Sequence, residues 1–362
     1  MSINEIIMYV MVAFMVIGAV DKCIGGKIGL GEHFEEGINA MGALAMSMVG
    51  IIVLAPVLAD ILSPIVVPAY KAIGADPSMF ATTLLANDMG GFYLAQKLAE
   101  DPQAGLFAGT ILGAMLGPTI VFTIPVALGI IKKEDHRFLA TGVLSGIVTI
   151  PLGCLAGGLT AGMPIIMILK NLIPIVIFAV LIMLGLALIP EKMIKGFTIF
   201  GQGVVIVATL GLVLGAMDLL VGFKPVKNIA PVTEGIEVVG SIALTLAGAF
   251  CLVFVITKLF AKPLEKVGQL LGMNEKAAAG LVATLANSIP MFEMLGDMDN
   301  RGKIINVAFA VSAAFVFGDH LGFTAGAAKE MLFPMIVGKL VAGITAIFVA
   351  QFMANRMLSK KD

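Results

Sequence analysis

Apolar runs dominate the chain, and their spacing sets its organisation. They fall at about 3–20, 38–68, 104–130, 137–160, 164–190, 194–221, 236–260, 303–325 and 331–354. A run of about 20 apolar residues, coiled into helix, matches the thickness of a bilayer core. The pattern therefore predicts an all-α, polytopic membrane protein with about nine full spans. Two further stretches, 78–98 and 276–296, are interrupted by polar residues and helix breakers. The first reads TLLANDMGGF at its centre, with Asn87, Asp88, Gly90 and Gly91; the second holds Asn287, Ser288 and Pro290. Glycine permits a sharp turn and proline breaks a helix, so each stretch reads as two half-helices joined by a polar elbow.

Charge decides whether those stretches cross. Cytoplasmic loops of membrane proteins are enriched in Lys and Arg. If both stretches cross, the basic loop residues divide evenly between the two sides. If both turn back as re-entrant hairpins, with the N-terminus outside, sixteen fall inside. These are Lys22, Lys27, Lys132, Lys133, Arg137, Lys192, Lys195, Lys258, Lys262, Lys266, Lys276, Arg301, Lys303, Arg356, Lys360 and Lys361. Five remain outside: Lys71, Lys97, Lys224, Lys227 and Lys329. Lys170 and Lys339 lie within apolar segments and enter neither count. The bias favours two re-entrant hairpins, with the N-terminus out and the C-terminus in.

The chain also repeats itself. MVIGAVDKCIGGK at 15–27 matches LVLGAMDLLVGFK at 212–224, and EGINAMGALAMSMVG at 36–50 matches EGIEVVGSIALTLAG at 234–248. The first elbow matches ATLANSIPMF at 283–292, and Gly74 pairs with Gly272. Sixteen of the 38 aligned positions in the three blocks are identical, against roughly a tenth expected from shared composition. The repeats read as residues 1–160 and 193–362, joined by a linker span over 161–192. Five crossings separate equivalent points when the hairpins are re-entrant, so the halves are expected to be inverted. Inverted repeats mark secondary transporters, whose substrate sits near the bilayer midplane where helices are broken. Each hairpin is followed by such a segment, the first with Gly117, Pro118, Thr119 and Pro125, the second with Gly318, Asp319 and His320.

Composition narrows the class. The chain is 59% hydrophobic and 13% charged, far more apolar than a soluble domain. Its 42 glycines suit close helix packing in lipid. A net charge of −1 excludes a basic nucleic-acid binder. Cys23, Cys154 and Cys251 are widely spaced and suggest neither disulfides nor a metal site. The N-terminus has no basic region or cleavage site and reads as an uncleaved first span. The glycine-rich 25–37 lacks the ending of a phosphate loop and reads as a flexible connector.

Asp88, Glu293 and Asp319 are then candidate intramembrane carboxylates, with no Lys or Arg close to them in sequence. An ionisable group inside a span marks a functional site, and unpaired acids imply a cationic substrate or coupling ion, H+ or Na+. Phe92, Tyr93 and Phe292 lie within two turns of these acids and offer cation–π contacts. The candidate substrate-binding set is Asn87, Asp88, Phe92, Tyr93, Thr119, Asn287, Ser288, Phe292, Glu293, Asp319 and His320. Plainer roles compete. The asparagines can cap half-helices, Asp319 and His320 can pair structurally, Glu293 can sit at a cytoplasmic mouth, the phenylalanines can simply pack, and Asp21 and Asp218 can end spans at the interface.

Over its whole length the chain resembles the ethanolamine permeases of bacterial ethanolamine utilisation. The likeness rests on ATTLLANDMGGFYLAQKLAEDP at 81–102, GPTIVFTIPVALGII at 117–131, GLVATLANSIPMFEMLGDMDNRGK at 280–303 and FVFGDHLGFTAG at 315–326. The resemblance implies an inner-membrane importer of ethanolamine, feeding a B12-dependent lyase in a protein microcompartment. Protonated ethanolamine, a small cation with one hydroxyl, suits a carboxylate–aromatic–amide pocket and alternating access. A transporter of another amine or a nucleoside, coupled to H+ or Na+, stays open, as does a homo-oligomer. An intramembrane aspartyl protease built on FGDH at 317–320 needs a second aspartate, from Asp60 or Asp218, and leaves the repeat unexplained. A receptor or anchor for pathway proteins needs a soluble domain or a long tail, and the longest expected loop here is under 20 residues.

Overall fold

A computed structural model of the protein describes residues 1–358; Lys360 and Lys361, counted above among the inside charges, lie outside the described residues. The all-helical expectation is borne out, with no strand among the described residues. The first half opens with α1 (Ile3–Cys23), α2 (Leu30–Leu44) and α3 (Gly50–Ala72), the last two joined end to end by a π-helical turn at Ala45–Val49. Two short helices follow, α4 (Ser78–Leu84) and α5 (Gly91–Leu98). A kinked segment then runs through α6 (Pro102–Leu106), α7 (Leu116–Pro118) and α8 (Ile124–Ile130), with π-helical turns at Phe107–Ile111 and Thr119–Thr123. Next come α9 (His136–Ile147), α10 (Ile150–Thr160) and α11 (Ile165–Leu188). The second half holds α12 (Pro190–Val221), α13 (Val232–Leu270), the short pair α14 (Glu275–Ala286) and α15 (Ser288–Glu293), then α16 (Asn300–Ala313), α17 (Asp319–Ala327) and α18 (Leu332–Leu358).

Seven helices among the described residues are long and apolar enough to cross a membrane. The count is eight when Pro102–Ala114 and Leu116–Ile130, which meet at 40°, are taken as one bent span. The ninth expected span, 303–325, falls instead on α16 and α17, separated by non-helical residues 314–318. The protein is thus a multi-pass membrane protein. Its unburied apolar side chains are concentrated on helices such as α1, α11 and α12, where Val16, Ile166, Leu181 and Leu210 are exposed, as lipid-facing surfaces require.

Both short helix pairs close on themselves. The Asp76 carboxylate accepts from the backbone amides of Glu100 (3.1 Å) and Asp101 (2.9 Å), so residues 76 and 101 lie together. Lys71 and Glu100 add an ion pair at 2.7 Å. In the second half Asp299 accepts from the Asn274 amide at 2.8 Å, and the Asn274 side chain donates to the Asp297 carbonyl at 2.9 Å. Asp101 and Asp299 also cap the helices that follow, through Gln103 N and Gly302 N, satisfying amides that a helix start leaves free. At 1.5 Å per residue the arms of the first pair, α4 and α5, are only about 10–12 Å long, well short of a bilayer core of about 30 Å.

The repeat seen in sequence recurs in packing. Gly37 lies against Ala247, and its counterpart Gly235 against Val49. Gly18 lies against Cys251 and Gly215 against Val53; Gly50 meets Ala208 and Gly248 meets Met11. Each contact in one half thus returns with the partners exchanged between halves. At several of these crossings a Cβ would sit under 3.0 Å from the neighbour, so only glycine permits the approach.

Two expectations change. The 25–37 connector is organised and not loose: Asp21, fully buried, accepts from the amides of Ile28 (2.9 Å), Leu30 (2.9 Å) and Gly31 (2.8 Å). Lys303, counted as a loop charge, is buried and paired with buried Asp135 at 2.5 Å.

Candidate functional site

The two elbows interrupt their helices as their sequences require. In the first, Leu85 and Ala86 are extended, Asn87–Met89 form a tight turn, and Gly90 adopts φ +82°, a conformation open to glycine. In the second, Asn287 is extended and its side chain caps α15 through Ile289 N at 2.8 Å. Each elbow presses its backbone on a glycine of the next broken segment. A Cβ on Gly117 would lie 1.9 Å from the Leu85 carbonyl oxygen, and one on Gly318 would lie 2.1 Å from that of Ala286. The break at 314–318 is bonded to the end of α14: Phe315 N donates to Thr284 O at 3.2 Å and Phe317 N to Leu285 O at 3.0 Å. Phe315 has φ +63°, a strained value for a bulky side chain of the kind held at functional sites.

Between the first elbow and the two broken segments lies a cavity of about 260 Å³. Asp88, Asp319 and His320 supply its ionisable groups; Phe122 and Phe315 form an aromatic wall; Ala40, Ala43, Leu44 and Ser47 close it from α2 and the π-helical turn. Phe122 and Phe315 meet edge to face at 5.5 Å, and Phe315 lies 5.4 Å from the His320 ring. A second cavity, of about 180 Å³, adjoins the second elbow and is lined by His33, Glu36, Phe254, Asn287 and, again, Asp319. His33, Glu36, Ala40, Ala43 and Ser47 follow each other at alternating spacings of three and four, so one helical face borders both cavities over about 21 Å. Asp319 opens α17.

A lysine distant in sequence also reaches the edge of the site. Lys339, from the N-terminal third of α18, is fully buried. Its Nζ donates to the Ala114 carbonyl and lies 2.9 Å from His320 Nδ1, on a residue that lines the cavity with Asp88 and Asp319. The chain bends beside Ala114, and such a break frees carbonyls that need a donor. Proximity in sequence could not show this, because 251 residues separate Asp88 from Lys339. The signal was present nonetheless, since a lysine inside an apolar span is itself a candidate functional group.

The remaining candidates take varied places. Asn87 is fully buried, and neither polar atom of its side chain meets a partner in the protein; Ser288 Oγ is in the same state. Thr119 is committed to the carbonyls of Met115 (2.8 Å) and Val311 (3.1 Å). Phe92 packs against Tyr93 (5.2 Å) and Phe323 (5.7 Å), and Phe292 is buried. None of these lines either cavity, and Glu293 is exposed at the end of α15. Asp60 and Asp218, the partners a protease would need, are engaged elsewhere, with Asn228 at 3.3 Å and Lys224 at 3.2 Å. Among the described residues no group of three or more His, Cys, Asp or Glu is placed to hold a metal ion.

Broken helices, polar elbows and a shared carboxylate between two cavities define a polytopic membrane protein with a polar interior site. Its family follows from comparison: the chain belongs to the family described as "Ethanolamine utilisation protein, EutH", which matches residues 3–353. It is 75% identical over 360 residues to a probable ethanolamine permease of Listeria monocytogenes, covering 99% of this chain and 96% of that protein. It is 53% identical to a probable ethanolamine permease of Escherichia coli, covering 98% and 97%. An uncharacterised Bacillus subtilis protein is 52% identical, covering 100% and 98%. No solved structure matches the chain.

Proposed function

We propose that the protein imports ethanolamine as its ammonium ion by alternating access. The observation that carries this reading is the cavity walled by Asp88, Asp319 and the Phe122–Phe315 pair, in a chain closely related to proteins named as ethanolamine permeases. The cation meets carboxylates and aromatic faces, and the hydroxyl has Ser47 and His320 within the same walls. Asn87, beside Asp88 with an unpartnered amide, is the next polar group on the route. The cation passes from one cavity to the other at Asp319, which borders both.

The architecture proposed for this cycle has inverted halves, 1–160 and 193–362, about a linker at 161–192, with the N-terminus outside and the C-terminus inside. It is supported by the exchanged glycine contacts and by the hydrogen bonds that join the ends of 76–101 and of 274–299, as re-entrant hairpins would require. The hairpins and broken segments move as the unit that carries the ligand. The test is uptake of labelled ethanolamine into liposomes containing the purified protein. Saturable uptake, blocked by excess unlabelled ethanolamine and weakly by nucleosides, is expected. Uptake no faster than in protein-free liposomes would overturn the reading.

A further inference from the structure

Lys339 places a second ammonium group beside a cavity read as a cation site. Its side chain is 1% exposed, and its amine touches His320, which lines the cavity with Asp88 and Asp319. A substrate ammonium entering the cavity would then lie on the other side of His320 from a cation already in place. Like charges so close, in a medium of low dielectric, repel strongly. The contacts of Lys339 suit a way out. The Ala114 carbonyl accepts an N–H from an ammonium or a neutral amine equally. His320 Nδ1 accepts from the ammonium or, in its other tautomer, donates to the amine. The same geometry therefore holds both protonation states of Lys339 without rearrangement.

We propose that Lys339 makes the protein an ethanolammonium–proton exchanger: binding the substrate cation displaces one proton from the Lys339 ammonium, and substrate release returns it. This rests on the reading of the cavity as an ethanolamine site. The balance is one N–H bond broken at Lys339 Nζ and one proton passed through His320 and the cavity water to the side from which substrate entered. On release, one proton is taken from the opposite side. The titratable groups facing the exchange are His320 in contact, Asp88 and Asp319 around the same cavity, and Glu36 beyond Asp319. On the helices packed against α18, Cys154 is a buried thiol and Lys303 is held by Asp135. The net species moved is the neutral amine, so membrane voltage does no work on the cycle.

The test uses wild-type protein in liposomes with imposed gradients. An inside-negative potassium potential of about 100 mV should leave protein-dependent ethanolamine accumulation unchanged, where movement of a bare cation would raise it about fiftyfold. An interior one pH unit more acid should raise accumulation about tenfold. In Lys339→Met the voltage should drive accumulation. A direct measurement on the wild type avoids dependence on that variant: ethanolamine binding to detergent-solubilised protein should release about one proton per site, read by a pH-sensitive dye in weak buffer. Voltage-driven accumulation by the wild type, or binding without proton release, would overturn the exchange while leaving ethanolamine transport intact. Absence of saturable uptake would instead overturn the transport reading itself.

Discussion

Gly117 is where the first elbow and the first broken segment come closest. A methyl group there would sit 1.9 Å from the Leu85 carbonyl oxygen and 2.8 Å from the Ala86 nitrogen, and Cβ contacts below 3.0 Å force a shift. Both neighbours are backbone, with no flexible side chain to swing aside. In Gly117→Ala the elbow and the segment must part by roughly 1 Å, at an overpacking cost of about 1–3 kcal/mol. Asp88 and Pro118, on opposite sides of that contact, both line the cavity. A displacement of about 1 Å in a site that must hold a small ligand is expected to cost about a hundredfold in rate. Gly129→Ala is the control, because nothing lies within 4 Å of a Cβ built there. The assay pairs initial ethanolamine uptake with thermal unfolding in detergent. Unfolding is followed by a thiol-reactive dye, since Cys154 and Cys251 are free and buried and the chain has no tryptophan. Loss of uptake and a lowered melting temperature in Gly117→Ala, with Gly129→Ala unchanged, is the expected result. Equal behaviour of the two variants would refute the claim that this contact sets the cavity.

Three further outcomes follow from the same coordinates. Asp76→Ala removes the acceptor for three backbone amides, those of Ser78, Glu100 and Asp101. It should cost about 2–4 kcal/mol, with Asp299→Ala lowering the melting temperature in parallel at the second hairpin; two unchanged melting curves would speak against closed hairpins. Lys303→Met strands the Asp135 carboxylate in a buried site and should destabilise by about 3–5 kcal/mol, while Asp135→Leu combined with Lys303→Met recovers most of the loss; a double variant no better than the single would contradict the pairing. Single cysteines at Lys71→Cys and Lys97→Cys should label with an impermeant reagent from the same face of the membrane, and labelling from opposite faces would show the first hairpin to be a crossing helix.

Much of the fold was written in local pattern. Apolar runs of span length carry helices, and the breakers at Gly90 and Asn287 fall where the helices stop. The repeat was legible because glycines such as Gly37 and Gly235 do the same steric work in each half. The break in 303–325 was legible at Gly318, but its partner was not: residues 314–318 leave the helix to bond with α14, about 30 positions earlier in the chain. In the candidate site, Asp88, Asp319 and His320 stood out because charge is costly in lipid. Lys339 carries the same signal inside its apolar segment. Phe122, Phe315 and the small face of α2 look like ordinary packing residues until long-range contacts bring them to one cavity. Phe92, Phe292 and Thr119 illustrate the converse, since nearness to an acid in sequence does not fix where a side chain points.

The central claim, that Asp88 and Asp319 together hold the ammonium of ethanolamine, is tested most directly by equilibrium binding of labelled ethanolamine to the purified protein. Asp88→Asn and Asp319→Asn should each weaken binding at least tenfold, the lower end for loss of a charge-assisted contact of about 1.5–3 kcal/mol, while exposed Glu293→Gln binds as the wild type does. Wild-type affinity in both aspartate variants would contradict it.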